Sequence, residues 1–135
     1  MMPTRTNRQI VEEIFNELGR GNGGPFLDAM ADDFQWTIKG TTAWSKTYAG
    51  KQAVRKELLA PLFAQFDGTY SNRLTRIICD GDTVAVECEG CVITKSGKPY
   101  CNSYCYIFEM ANGKFKSLTE YLDTALVEAA LEPPA

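Results

Sequence analysis

Val84-Ala85-Val86-Glu87-Cys88-Glu89-Gly90-Cys91-Val92-Ile93 is bounded by Asp80-Gly81-Asp82 on one side and Lys95-Ser96-Gly97-Lys98 on the other. Its β-branched residues, its freedom from proline and the flanking glycine turns mark a single strand. Alternating runs continue at about 99–110 and 114–122, separated by Ala111-Asn112-Gly113-Lys114. Upstream, period-two alternation starts near Thr69. Short glycine-containing turns between such runs are hairpin connections, so strands at about 69–79, 82–94, 99–110 and 114–122 are predicted to form an antiparallel meander.

Before the meander the pattern is mostly helical. Thr6 and Gln9 fit a capping box, followed by an apolar stripe of Ile10, Val11, Ile14, Phe15 and Leu18. Gly19-Arg20-Gly21-Asn22-Gly23-Gly24 ends that helix, and Pro25 suits the first turn of a short second one running to about Met30. Phe34, Trp36 and Ile38 alternate with polar neighbours and predict a strand. Thr41 to Ala49 reads as a loop presenting Trp44 and Tyr48, placed to cover a pocket or simply to pack at the surface. A third helix follows Gly50, carries Val54, Leu58, Leu59, Leu62, Phe63 and Phe66, and is kinked by Pro61. A last helix is predicted at about 124–131, with Asp123 as its N-cap. The order makes this an α+β chain whose helices pack on one face of a curved, mainly antiparallel sheet.

At 135 residues the chain fits one domain, 1–135, with a single core. A net charge of −3 and the lack of any Lys/Arg run argue against nucleic acid or an anionic membrane as partner. The first thirty residues hold no long apolar run, so a cytoplasmic location is expected. There is no histidine, which excludes Ser-His-Asp and Cys-His catalysis and every His-based metal site. Acid–base chemistry must then fall to Asp, Glu, Tyr, Lys or Cys. The odd set Cys79, Cys88, Cys91, Cys101 and Cys105 reads as reduced, buried thiols. The spacing of the last four invites a zinc site, but Cys88 and Cys91 lie three apart on one strand and face opposite ways. No metal is expected.

Four further words carry a resemblance. They are Ala31-Asp32-Asp33-Phe34-Gln35-Trp36-Thr37-Ile38-Lys39-Gly40, Tyr48-Ala49-Gly50-Lys51-Gln52-Ala53-Val54, Thr94-Lys95-Ser96-Gly97-Lys98-Pro99-Tyr100-Cys101-Asn102-Ser103-Tyr104, and Glu120-Tyr121-Leu122-Asp123-Thr124-Ala125-Leu126. In this order and spacing the chain resembles the SnoaL-like branch of the NTF2 and ketosteroid-isomerase superfamily, over about residues 7–131. The resemblance implies a cone-shaped fold around a deep pocket, no cofactor, and a homodimer formed through the outer sheet face. It also implies steroid isomerisation, polyketide cyclisation, epoxide hydrolysis or dehydration as the activities to weigh. Fold limits the chemistry without choosing it.

Parity alone puts Glu87 and Glu89 on one face of their strand, and Asn102, Tyr104 and Tyr106 together on the next. Both faces of the first of these look partly apolar, so its inner face stays open on the residues alone. Matching the epoxide-hydrolase branch without gaps puts its catalytic positions on Glu87, Glu89 and Glu120, with Trp36 and Ile38 on the first strand. None of that branch's five residues stands at the matched positions, which disfavours epoxide hydrolysis of that design. The match still implies inward glutamates. Either Glu120 or Glu87 then serves as base and the other as neutral acid, with Tyr104 as a second donor. Trp36, Asn102, Phe34, Met30, Ile38, Glu89 and Leu118 bind the substrate, a small hydrophobic, cyclic, carbonyl-containing molecule.

Plainer readings stand beside these. Glu87 and Glu89 read as a solvated strand face, Asn102 and Tyr104 as a buried polar pair, and Glu120 as a sheet-mouth hydrogen bond. Arg73 and Arg76 read as surface or dimer residues. The competing reading of the whole is a non-catalytic ligand-binding or dimerisation module.

Overall fold

The computed structural model describes residues 5–134. Thr6 caps α1 (Asn7–Leu18), accepting from the Gln9 amide while the Gln9 side chain accepts from the Thr6 amide, the reciprocal box expected. α1 buries Ile10, Val11, Ile14 and Phe15, and Phe15 meets Tyr106 and Phe108 on the sheet with ring centroids 6.4 Å apart in each case. After the glycine loop come α2 (Gly24–Ala29) and β1 (Met30–Ile38), which begins four residues before the predicted alternation. β2 (Thr47–Ala49) forms within the predicted loop and pairs antiparallel with β1, Tyr48 opposite Trp36.

The third helix is broken into α3 (Lys51–Ala53), a π-helical stretch (Val54–Leu59) and α4 (Ala60–Phe63). The irregularity foreseen at Pro61 takes this form. The Ala60 amide reaches back five residues to the Arg55 carbonyl, a widened turn just ahead of the proline. Leu58 and Leu59, at the end of the π stretch, point toward the sheet and line its cavity.

The meander forms with antiparallel pairing throughout, as β3 (Phe66–Asp80), β4 (Thr83–Thr94), β5 (Pro99–Ala111) and β6 (Lys114–Leu122). It starts earlier than predicted, since Phe66, expected on the third helix, pairs with Thr94 and opens β3. β6 also pairs parallel with β1, giving a six-stranded curved sheet in the order β2-β1-β6-β5-β4-β3. α5 (Thr124–Ala130) is capped by the Asp123 carboxylate on the Leu126 amide, as its position suggested. No described helix is long and apolar enough to cross a membrane.

The cysteine expectation is corrected. Cys91 and Cys101 stand directly opposite in the β4–β5 register, with Cα atoms 4.0 Å apart, and form a disulfide on the exposed face. Cys79 is exposed and Cys105 half-buried, so only Cys88 is the buried thiol expected of all five. The hairpin register brings the pair together, a contact that spacing along the chain does not reveal. Replacing both by serine is expected to lower stability by about 2–3 kcal/mol, the loop-closure value for a bridge this short in sequence. Urea unfolding with and without dithiothreitol checks it, since the serine variant should be insensitive to the reductant.

Candidate functional site

Even-numbered residues of β4 and β5 face the helices: Val84, Val86 and Cys88 are buried on one strand, and Tyr100, Asn102, Tyr104, Tyr106 and Phe108 on the next. Odd-numbered residues face out. Glu87 and Glu89 are therefore exposed on the opposite side of the sheet from the cavity, paired with Arg76 at 2.5 Å and Arg73 at 2.8 Å. Their predicted place in the pocket is corrected. A shift of one position in matching a strand turns every side chain to the other face.

Glu120 is where it was expected. It sits on the inner face of β6 between Leu118 and Leu122, opposite Tyr106 of β5 and Ile38 of β1, and is 5 % exposed. Trp36 reaches diagonally from β1, and its indole N–H donates to Glu120 Oε1 at 2.9 Å. Among the described residues no other side chain or amide bonds the carboxyl. Burial pushes its pKa up from 4.5 to about 7, the Trp36 hydrogen bond pulling weakly the other way.

Glu120 opens on a cavity of about 70 Å³ between the sheet and the broken helix. Trp36, Ile38 and Tyr104 line it, as predicted, together with Trp44, Tyr70, Tyr100 and Tyr106. No lysine or arginine lines it among the described residues. Trp44 is buried, its indole N–H held by the Glu132 carbonyl at 3.0 Å, so the 41–49 loop closes one side of the cavity. Tyr48 is buried too, and its hydroxyl donates to the Trp44 carbonyl at 2.9 Å, which anchors that loop.

The tyrosine hydroxyls run in a row. Tyr70 donates to Tyr104 at 3.4 Å and Tyr104 to Tyr100 at 3.5 Å, long contacts that leave the hydroxyls able to turn toward a ligand. Burial raises the Tyr70, Tyr100, Tyr104 and Tyr106 phenols above their ordinary value, so they remain donors at any physiological pH. Burial likewise pushes the Cys88 thiol up and keeps it from acting as a nucleophile. Gly90 makes this row possible, because a Cβ there would run into the Tyr70 hydroxyl and ring.

Four other predicted binding residues lie elsewhere or behind the wall. Asn102 faces inward but serves the fold. Its Nδ2 donates to the Tyr100 hydroxyl at 3.1 Å and to the Asp123 carbonyl, and its Oδ1 accepts the Asp123 amide, tying β5 to the start of α5. Phe34, Met30 and Leu118 are buried core rather than cavity lining. Phe34 packs edge-on against Trp36 at 6.2 Å and so backs the indole that meets Glu120. Among the described residues no group of three or more Asp, Glu or Cys side chains is placed to hold a metal ion.

A sequence profile of the SnoaL-like domain matches residues 11–118. The chain belongs to the SnoaL-like family. No curated protein sequence matches it. Solved structures with the same fold include an NTF2-like protein from Burkholderia thailandensis, at 23% identity, covering 96% of this chain and 100% of that one, with a TM-score of 0.80. TerC, co-crystallised with polyporic acid, is similar at 20% identity over 91% of this chain and 95% of its own, TM-score 0.75. A protein with a ketosteroid isomerase-like fold from Catenulispora acidiphila, in complex with trimethylamine, is similar at 18% identity over 92% of each chain, TM-score 0.73. In this SnoaL-like chain the cavity-facing carboxyl is Glu120, set among aromatic rings.

Proposed function

We propose that this SnoaL-like chain is a cofactor-independent enzyme of the ketosteroid isomerase or polyketide cyclase type, moving a proton on a small hydrophobic, cyclic, carbonyl-containing molecule. The observation that carries this reading is Glu120, a buried carboxyl on the wall of an aromatic cavity, with its pKa raised to about 7. A group poised there serves in both directions. Ionised, it takes a proton from the carbon beside the carbonyl; protonated, it returns that proton to another atom. The developing enolate oxygen would be met by a tyrosine hydroxyl, Tyr104 first, kept neutral by its burial. Trp36 holds the carboxyl in place, and the lack of a basic group in the lining suits an uncharged substrate. The small molecules held by TerC and the Catenulispora protein support a ligand-binding role for the fold.

The test is hydrogen–deuterium exchange beside the carbonyl of small cyclic ketones in heavy water, followed by NMR. The wild-type protein is expected to accelerate exchange, and Glu120→Gln to slow it by about 10²–10⁴-fold. Equal rates in the two proteins would remove Glu120 as the base. Tight ketone binding without any exchange would leave a binding module.

We further infer that two copies pair through the outer sheet face, where Ile78 and Tyr121 are exposed beside the half-buried Ile107. Sedimentation velocity checks this. A dimer that Tyr121→Arg converts to monomer is expected, and a monomeric wild type would contradict the pairing.

A further inference from the structure

Beside the Glu120 cavity lies a second chamber of about 270 Å³. The two share Trp36, Leu59, Phe63, Tyr70 and Tyr106 as a common wall. Phe26 and Leu27 of α2 close its far side, and Gly21 and Gly23 of the loop before α2 leave its rim free of side chains. Apart from the two tyrosines and the Trp36 indole, whose N–H is taken by Glu120, one side chain with hydrogen-bonding capacity stands in its lining: Asn72 of β3, 2 % exposed.

The Asn72 amide is half satisfied. Its Nδ2 donates to the Tyr70 and Tyr106 hydroxyls at 3.3 and 3.5 Å. Its Oδ1 is the one buried side-chain oxygen or nitrogen without a hydrogen-bond partner among the described residues. Turning the amide over does not cure this, because it strands the NH₂ group in place of the oxygen. Native folds rarely leave such a group unmatched, and Asn72 stands in the lining of a space large enough for a ligand.

We propose that this chamber is a second binding subsite, taking the hydroxyl-bearing end of an elongated, uncharged molecule whose carbonyl end lies at Glu120. The proposal rests on the reading of the Glu120 cavity as a small-molecule site. The span follows from contacts already in place. Glu120 is bonded by Trp36, the Trp36 ring stands 6.2 Å from that of Tyr106, and the Tyr106 hydroxyl meets Asn72. The two polar ends are thus separated by one pair of aromatic side chains. No charged side chain lines the chamber among the described residues, so an ionic end group would be buried without a counter-charge. A hydroxyl both donates and accepts, and completes Asn72 in either amide orientation. Phe63 stands in the shared wall, is 46 % exposed and meets the Phe66 and Tyr70 rings edge-on.

The test compares 4-(4-hydroxyphenyl)cyclohexanone with 4-phenylcyclohexanone by calorimetry, with cyclohexanone as the short control. Wild type is expected to favour the hydroxylated ketone by about tenfold, the worth of one well-placed hydrogen bond. Asn72→Leu should erase that preference while still binding cyclohexanone as wild type does, which also reports that it has folded. Leu27→Trp, which fills the chamber, should reject both long ketones and keep the short one. A preference that survives Asn72→Leu would overturn the subsite, as would long ketones that bind Leu27→Trp normally or fail to bind wild type. The same preference measured in Glu120→Gln separates the two readings. If it persists while wild type shows no proton exchange, the subsite stands and the role of Glu120 falls.

Discussion

Glu120→Gln is expected to be more stable than wild type at pH 8.5 and about equal to it at pH 4. The carboxyl ionises near 4.5 in an unfolded chain and near 7 when folded. Between those values the folded state binds more protons than the unfolded one, so wild-type stability falls as pH rises through this window and levels off above it. At full ionisation the loss is about 3 kcal/mol. Glutamine keeps an oxygen to accept the Trp36 indole N–H and carries no charge to desolvate, so the variant escapes the loss. The comparison removes every other titrating group, since both proteins share them. Urea unfolding of both at the two pH values measures the difference. Parallel curves would mean that Glu120 ionises inside the fold at no cost, and that its burial does not poise it for proton transfer.

Trp36→Phe is expected to act on stability and on titration together. The indole is 8 % exposed, packs against Phe26, Phe34 and Tyr106, and donates the hydrogen bond on Glu120 Oε1. Phenylalanine leaves part of that volume empty and the carboxyl without its donor, at a combined cost of about 2–4 kcal/mol. Because the hydrogen bond favours the ionised form, its loss should raise the Glu120 pKa further above its wild-type value. The low-pH limb of any pH–rate profile should move up with it. Urea midpoints give the first effect and a carboxyl titration the second. A variant that is destabilised but whose Glu120 titrates as in wild type would reduce Trp36 to a packing residue.

The meander was legible because its three glycine turns and its alternation are local signals. So were the Thr6 cap, the Asp123 cap and the break at Pro61, each set by chemistry within a few residues. β2 was not, since three residues carry no period and Thr47–Ala49 becomes a strand only by lying against β1. The inner face of β4 stayed open on the residues because Ala85, Cys91 and Ile93 make its outer face look apolar, and the gapless family match then turned its glutamates inward. The deciding signal was the hairpin itself. Its register pairs even residues of β4 with even residues of β5, Val86 with Tyr106 and Cys88 with Tyr104, so the tyrosines of β5 assign both strands. Glu120 was readable as one acid between Leu118 and Leu122 on a single face. Tyr70 and Asn72 were not, because β3 shifts register between Asp67 and Ser71 and again between Leu74 and Arg76. Such irregularities break the period that would have turned these two residues inward.

The most direct measurement is an NMR titration of the Glu120 side-chain carboxyl carbon in the folded protein, assigned by its absence from Glu120→Gln. An inflection near 7, moving when a cyclic ketone occupies the cavity, is expected of a carboxyl poised for proton transfer beside its substrate. An inflection near 4.5 that ignores the ketone would contradict it, leaving Glu120 an ordinary carboxylate held by Trp36.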